Sequence, residues 1–316
     1  MAVILLLIII ICFVIIRKKY KKTSYYKITG KSYLALLFDK GSLGEYHTYK
    51  YLRKYEEGGA KFLFNLYLPR DNGETTEIDV LMISSSGLYV FESKNYSGWI
   101  FGNEKGKTWT QTLPQGKKSH KEHFLNPIMQ NRLHIKWLNN LLENQEIPVH
   151  SIIVFSERCT LKKVEVYSQD IKVIKRDQVY GTVNQINSTV PLLINEAQID
   201  ELYNKLYPYT QVSNDDKEKH IQDIKQKQLE KDSQSSNFDV DKVHTEKSGS
   251  TSSVEQVEDN NELVPELEQE QKYIDMTLCP ECGSALVLRT AKRGENKGKQ
   301  FYGCSAFPKC HYIKNL

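Results

Sequence analysis

Cysteine is scarce in most of this 316-residue chain. Before residue 279 there are only Cys12 and Cys159, too far apart to suggest a disulfide framework. Histidine offers no metal site either, because His47, His120, His123 and His134 show no ligand spacing. No internal repeat is visible, which leaves no repeat array to consider. The net charge of +4 is too small to argue for a nucleic-acid partner by itself, so local clusters carry more weight. Long apolar runs are missing after residue 16, and so are the marks of a cleaved leader. No positive charge precedes the apolar start, and no small-residue cleavage site follows it.

That start, Ala2–Ile16, is unbroken apolar sequence, followed by Arg17, Lys18, Lys19, Lys21 and Lys22. As a helix it would extend ~22 Å at ~1.5 Å per residue, short of a ~30 Å hydrocarbon core. Thinning of the bilayer or snorkelling of Arg17 and Lys18 would have to close the gap. On this basis residues 1–16 are expected to be an uncleaved transmembrane anchor. The positive-inside rule then places residues 17 onward in the cytoplasm of a single-pass membrane protein. A chain of this length holds one medium domain plus small modules. Residues 17–36 read as a basic juxtamembrane segment, 37–208 as an α/β domain, 209–275 as a flexible charged linker and 276–316 as a small C-terminal module.

The other four cysteines fall in that module. Cys279-Pro-Glu-Cys282-Gly is a knuckle that places two thiolates on one ion, and Cys304 and Cys310 supply a second pair. Four thiolates make a closed structural Zn²⁺ site, with His311 as the substitute for Cys310. Free thiolates need a reducing compartment, which again points to the cytoplasm. Arg289, Lys292, Arg293 and Lys299 lie between the knuckles, and Phe301, Tyr302 and Phe307 flank the second. Cations can follow a phosphate backbone while rings stack on bases; the same rings can equally be the core of a tiny domain.

Within 37–208 the spacing predicts a helix over 42–55, strands over 61–68, 77–84 and 88–94, a helix starting at Asn126-Pro127, strands over 149–155 and 171–174, and a helix over 196–206. Asp79 and the pair Glu92 and Lys94 lie on consecutive strands of a hairpin. A two-residue turn at Ser85-Ser86 sets Asp79 opposite Glu92, and one at Ser86-Gly87 sets it opposite Lys94. Either register gathers two carboxylates and an ammonium on one face. Hard oxygen ligands of this kind suit Mg²⁺ or Mn²⁺, while the plain alternative is a cross-strand salt bridge. Ser42-x-x-Glu45 reads as a helix capping box. Gln130 falls on the helix after Asn126.

The two regions resemble known families. Cys-Pro-x-Cys-Gly with Phe-Tyr-Gly-Cys-Ser-x-Phe-Pro-x-Cys resembles the C-terminal zinc ribbons of bacterial type IA topoisomerases, which implies binding of single-stranded DNA. Asp79 followed by Glu92-x-Lys94 resembles the restriction-endonuclease-like PD-(D/E)xK fold, with Ile78 where that pattern has Pro. More narrowly, residues 39–143 resemble the nuclease-related domain family, NERD. The matching pieces are Gly41-Ser-Leu-Gly44-Glu45, Glu77-Ile-Asp79, Gly87 to Asn95, Gly98-Trp-Ile-Phe-Gly102, Trp109 and Asn126-Pro-Ile-Met-Gln130-Asn. This implies Mg²⁺-dependent DNA hydrolysis, with Asp79 and Glu92 on the metal and Lys94 on the attacking water. It also implies a helix-borne Glu45 near the metal and Gln130 at the phosphate or water. The alternative is a non-catalytic DNA tether or scaffold with a vestigial site.

Overall fold

A computed structural model describes residues 2–115, 118–143, 146–223, 286–290, 300–304, 308 and 310–315. Contacts divide the chain into two units, one holding 1–166 and 170–228, the other 167–169 and 229–316. Among the described residues the first unit holds two sheets and the second one.

In the first unit, β1 (Lys61–Pro69), β2 (Thr75–Ser84) and β3 (Gly87–Lys94) form an antiparallel meander. β7 (Val149–Phe155) and β9 (Ile171–Lys175) continue the sheet in parallel, in the order β1-β2-β3-β7-β9. The central strands are apolar nearly throughout: Val80, Leu81, Met82, Ile83, Leu88, Val90, Phe91, Ile152 and Val154 are buried. That is what strands covered on both faces require. Of the two turns open in the sequence, Ser85-Ser86 is used, since Ser84 pairs with Gly87. Gly87 has φ +125°, and a Cβ there would lie 2.3 Å from the Pro148 carbonyl oxygen.

α4 (Lys40–Glu57) and α5 (Pro127–Leu141) pack on this sheet. Asn126 caps α5 by accepting from the Ile128 amide, with Pro127 in the first turn. Its amide also donates to the carbonyls of Glu104 and Gly106, which fastens the helix start to the preceding loop. Asn131 donates to the Val90 carbonyl and to Ser151 Oγ, tying α5 to β3 and β7. α6 (Val179–Thr189) and α7 (Glu196–Leu206) follow β9.

The second sheet was not foreseen from the sequence pattern. β4 (Gly98–Asn103), β5 (Thr108–Gln115), β6 (Lys118–Leu125) and β8 (Cys159–Glu165) pair in the order β6-β5-β4-β8. Polar residues dominate β5 and β6, so the period-2 signal is weak there. Its centre is Trp109, fully buried and stacked at 5.9 Å on Phe155. Gly102 leaves the space for that indole; a Cβ there would fall 2.0 Å from it. His120 and His123 sit on β6, where His120 pairs with Glu122 at 3.1 Å.

Two expectations about the N-terminus need correction. α1 (Ala2–Lys21) is 20 residues long, but no helix among the described residues is long and apolar enough to cross a membrane. The apolar run is interrupted after Ile16 by Arg17, Lys18 and Lys19, which corrects the transmembrane anchor expected at 1–16. Residues 17–36 are also more than a basic connection. α2 (Ser24–Thr29) and α3 (Tyr33–Phe38) follow α1, and Tyr20, Tyr25 and Leu36 are at most 1% exposed, within the same core cluster as β1 to β3. At the far end, residues 214–223 form a helix, α8, whose His220 is buried; the sequence places them in the linker, with a charged helix open around 216–231.

In the second unit, β10 (Leu286–Thr290), β11 (Gln300–Cys304) and β12 (Ile313–Asn315) form an antiparallel sheet.

Candidate active site and zinc ribbon

The β2–β3 ladder holds as far as Val80 and Phe91. One step further, where the same register brings Asp79 level with Glu92, the strands part. Asp79 is half-buried there, and its Oδ2 accepts from the Ser93 amide at 2.7 Å in place of a ladder bond. The third strand is irregular at the same level. Asn65, across from Asp79 on β1, has φ +52°, a left-handed conformation that Asn tolerates better than most residues. Backbone irregularity of this kind frees side chains from the regular alternation of the sheet.

Both oxygens of Glu92 are taken. Lys94 Nζ lies 2.6 Å from Oε1, and His134 Nε2 lies 3.0 Å from Oε2. His134 comes from α5 and is itself held by Thr76 Oγ1, 2.6 Å from Nδ1. Burial works against the Glu92 charge, yet Lys94 and His134 outweigh it and hold its carboxyl down at about 2. Burial likewise opposes the Lys94 charge, but Glu92 and Asp79 outweigh it and raise its ammonium above the ordinary lysine value. Lys94 is therefore a fixed cation at neutral pH.

Glu45 does not cap α4. The N-cap of α4 is Asp39, which accepts from the amides of Gly41 and Ser42, so the capping box expected at Ser42 and Glu45 does not form. Glu45 is instead buried inside the helix, and its Oε2 accepts from Tyr25 Oη at 2.9 Å and Asn65 Nδ2 at 3.1 Å. The same Asn65 amide donates to Glu77 Oε1 at 3.1 Å. Burial, then the Glu77 charge, push the Glu45 carboxyl up to about 7. Asp79 is driven well above the usual carboxylate range by burial, Glu92 and Glu45.

Four carboxylates, Glu45, Glu77, Asp79 and Glu92, thus act on one another around this opening, with Lys94 beside Glu92 and Asp79 and Lys31 acting on Glu45. Their mutual repulsion is what a bound cation relieves, and an all-oxygen donor set suits a hard divalent ion. Among the described residues no three His, Cys, Asp or Glu side chains already form a metal shell. Two carboxylates with water completing the octahedron is the ordinary arrangement for Mg²⁺. Gln130 lies one turn before His134 on α5, half-buried, with no side-chain hydrogen bond to a described residue. Sequence reasoning passed over Asn65, Tyr25, Thr76 and His134. Their spacing carries no signal, because each enters from a different element.

In the ribbon, Cys304 and Cys310 are buried thiols, and the Cys304 amide donates to the Tyr312 carbonyl at 3.1 Å. Tyr302 and Tyr312 pack against the two sulfurs. Arg289 is exposed and pairs in register with Phe301. Cys279, Cys282, Lys292, Arg293, Lys299 and Phe307 lie outside the described residues.

Residues 40–156 match the nuclease-related domain family, and residues 276–316 match the topoisomerase DNA-binding C4 zinc finger. An uncharacterized protein of Bacillus anthracis is 32% identical over 182 residues, spanning 58% of this chain and 82% of that one. No solved structure matches.

Proposed function

Because this chain belongs to the nuclease-related domain family and carries a topoisomerase-type zinc ribbon, we propose that it is a metal-dependent deoxyribonuclease. The observation that carries the reading is the gathering of Asp79, Glu92 and Lys94 where the β2–β3 ladder opens. This is the arrangement that a restriction-endonuclease-like site requires. Asp79 and Glu92 would hold Mg²⁺ or Mn²⁺, which would neutralise charge on the scissile phosphate and acidify a bound water.

The chain's own groups supply the rest. Lys94, kept charged by Glu92 and Asp79, holds the attacking water by donating to it and offsets charge on the phosphate. His134 and Lys94 fix the two Glu92 oxygens, so that carboxylate is oriented before any ligand arrives. Glu45, tied through Asn65 to Glu77, would accept from water at the same opening. Gln130, a turn away from His134 on α5, is assigned to the substrate phosphate. The ribbon's DNA-binding family supports a second DNA contact, which we assign to single strands through Arg289, Lys292, Arg293, Lys299, Phe301, Tyr302 and Phe307. Cys279, Cys282, Cys304 and Cys310 would hold its Zn²⁺. Zinc-binding thiolates need a reducing compartment, which suits the cytoplasm, where we place the domains.

The test is cleavage of single-stranded, duplex and branched DNA by the full chain with Mg²⁺ and with chelator. Asp79→Ala, Glu92→Ala and Lys94→Ala should each lower the rate by ~10²–10⁴ while DNA binding persists. Cleavage that is indifferent to chelation, or to all three substitutions, refutes the nuclease. Binding without any cleavage would make the protein a DNA tether.

A further inference from the structure

Immediately beyond Lys94 the chain builds a second charged feature, which the chemistry above does not use. Asn95 accepts through both of its oxygens from Arg158 Nη2, each at 3.0 Å. Arg158 Nε donates to Ser156 Oγ at 3.2 Å, and the Ser156 amide donates to the Lys94 carbonyl at 2.9 Å. The guanidinium is therefore fastened to the backbone of the active-site strand. All of these acceptors are neutral. Arg158 is exposed, no carboxylate among the described residues pairs with it, and Nη1 has no hydrogen-bond partner among them.

Behind it lies Arg176, whose side chain is 1% exposed. Arg176 uses Nη1 on Glu157 at 2.9 Å and reaches the Asn95 side-chain oxygen at 3.4 Å, while its Nε has no partner. Glu157, the acidic group in this corner, is thus engaged by Arg176 and leaves Arg158 uncompensated. Tyr51 faces Glu157 from α4, and Asp177 stands beyond it. His47 and Lys50, a turn apart on α4, face the same corner. Burial, and then the Arg176, Lys50 and Arg158 charges, hold the His47 imidazole below its ordinary value.

A guanidinium held rigid on neutral acceptors, with Nη1 open to solvent and no carboxylate among the described residues to offset its charge, is suited to donate to a phosphate. We propose that Arg158, backed by Arg176, is a clamp for a DNA phosphate adjoining the one held at Asp79, Glu92 and Lys94. Its anchor, Asn95, is the residue next to the catalytic lysine, so the clamp sets the register of the strand in the site. This inference rests on DNA being the substrate, but not on the chain cleaving it.

The experiment measures binding of a short DNA duplex to the full-length protein, in chelator, across roughly 50–200 mM salt. Arg158→Gln should weaken binding and lower the slope of log affinity against log salt by about 1. Arg158→Lys should retain the slope and still lose affinity, because the charge survives while the bonds that fix it to Asn95 and Ser156 do not. Thermal melting of both variants checks folding. An unchanged slope and affinity in a folded Arg158→Gln overturns the clamp. If Arg158→Gln does not fold, Arg158→Lys decides: wild-type affinity in the folded protein overturns it, and a loss sustains it. A wild type that binds with these differences but never cleaves would remove the nuclease and leave the clamp standing.

Discussion

Glu45→Gln should make the protein more stable and less active. In the folded chain burial and Glu77 raise the Glu45 carboxyl from 4.5 to about 7. The folded state therefore binds this proton more tightly than the unfolded state does. Its contribution to stability is fully present below pH 4.5 and is lost as the pH climbs through 7. At ~1.4 kcal/mol per pH unit, carrying the ionised group at pH 8 costs roughly 3 kcal/mol. Gln removes that cost but accepts more weakly from Tyr25 and Asn65, which returns about 1 kcal/mol. The expected gain is roughly 2 kcal/mol at pH 8, or ~5 °C in melting temperature for a domain of this size, falling to nothing near pH 4. Asp79, whose carboxyl is also raised, keeps part of the same pH dependence in the variant. Urea melts at pH 4, 6 and 8 in chelator measure the difference. Glu45→Gln no more stable than wild type at pH 8 would refute the repulsion on which the whole site is read. A stabilised variant with lost cleavage is the outcome expected of a strained functional carboxylate.

Two further outcomes follow from the packing and the ribbon. Gly102→Ala should destabilise the first unit by about 1–3 kcal/mol, read as a shift in urea midpoint, because its methyl meets the Trp109 indole. Metal analysis of the full chain should find one Zn²⁺ per chain. Stripping it should lower affinity for single-stranded DNA while leaving the first unit's melting transition in place, since a module this small depends on its metal to fold.

Local signals determined a good deal of this protein. Four cysteines in two knuckles set the ribbon, and Asn126-Pro127 set the start of α5, because a cap and a first-turn proline act over a few residues. The apolar runs marked β1, β2, β3 and β7, since strands buried on both faces have no polar alternation to hide them. The tight turn limited Asp79 to the level of Glu92 or Lys94, and closure at Ser85-Ser86 chose Glu92. The rest depended on residues far apart in the chain. Nothing near Glu45 distinguishes a cap from a site residue; Asp39 took the cap, and Tyr25 and Asn65 took the carboxylate. His134 acquired a role only when α5 crossed β3 beside Glu92, 42 positions away. Residues 17–36 likewise read as a mere basic connection, but Tyr20 and Tyr25 lie in the core. An amphipathic pattern states that a residue is buried, but only tertiary packing states against what. Carboxylate charges in particular take their protonation from neighbours that the sequence does not place beside them.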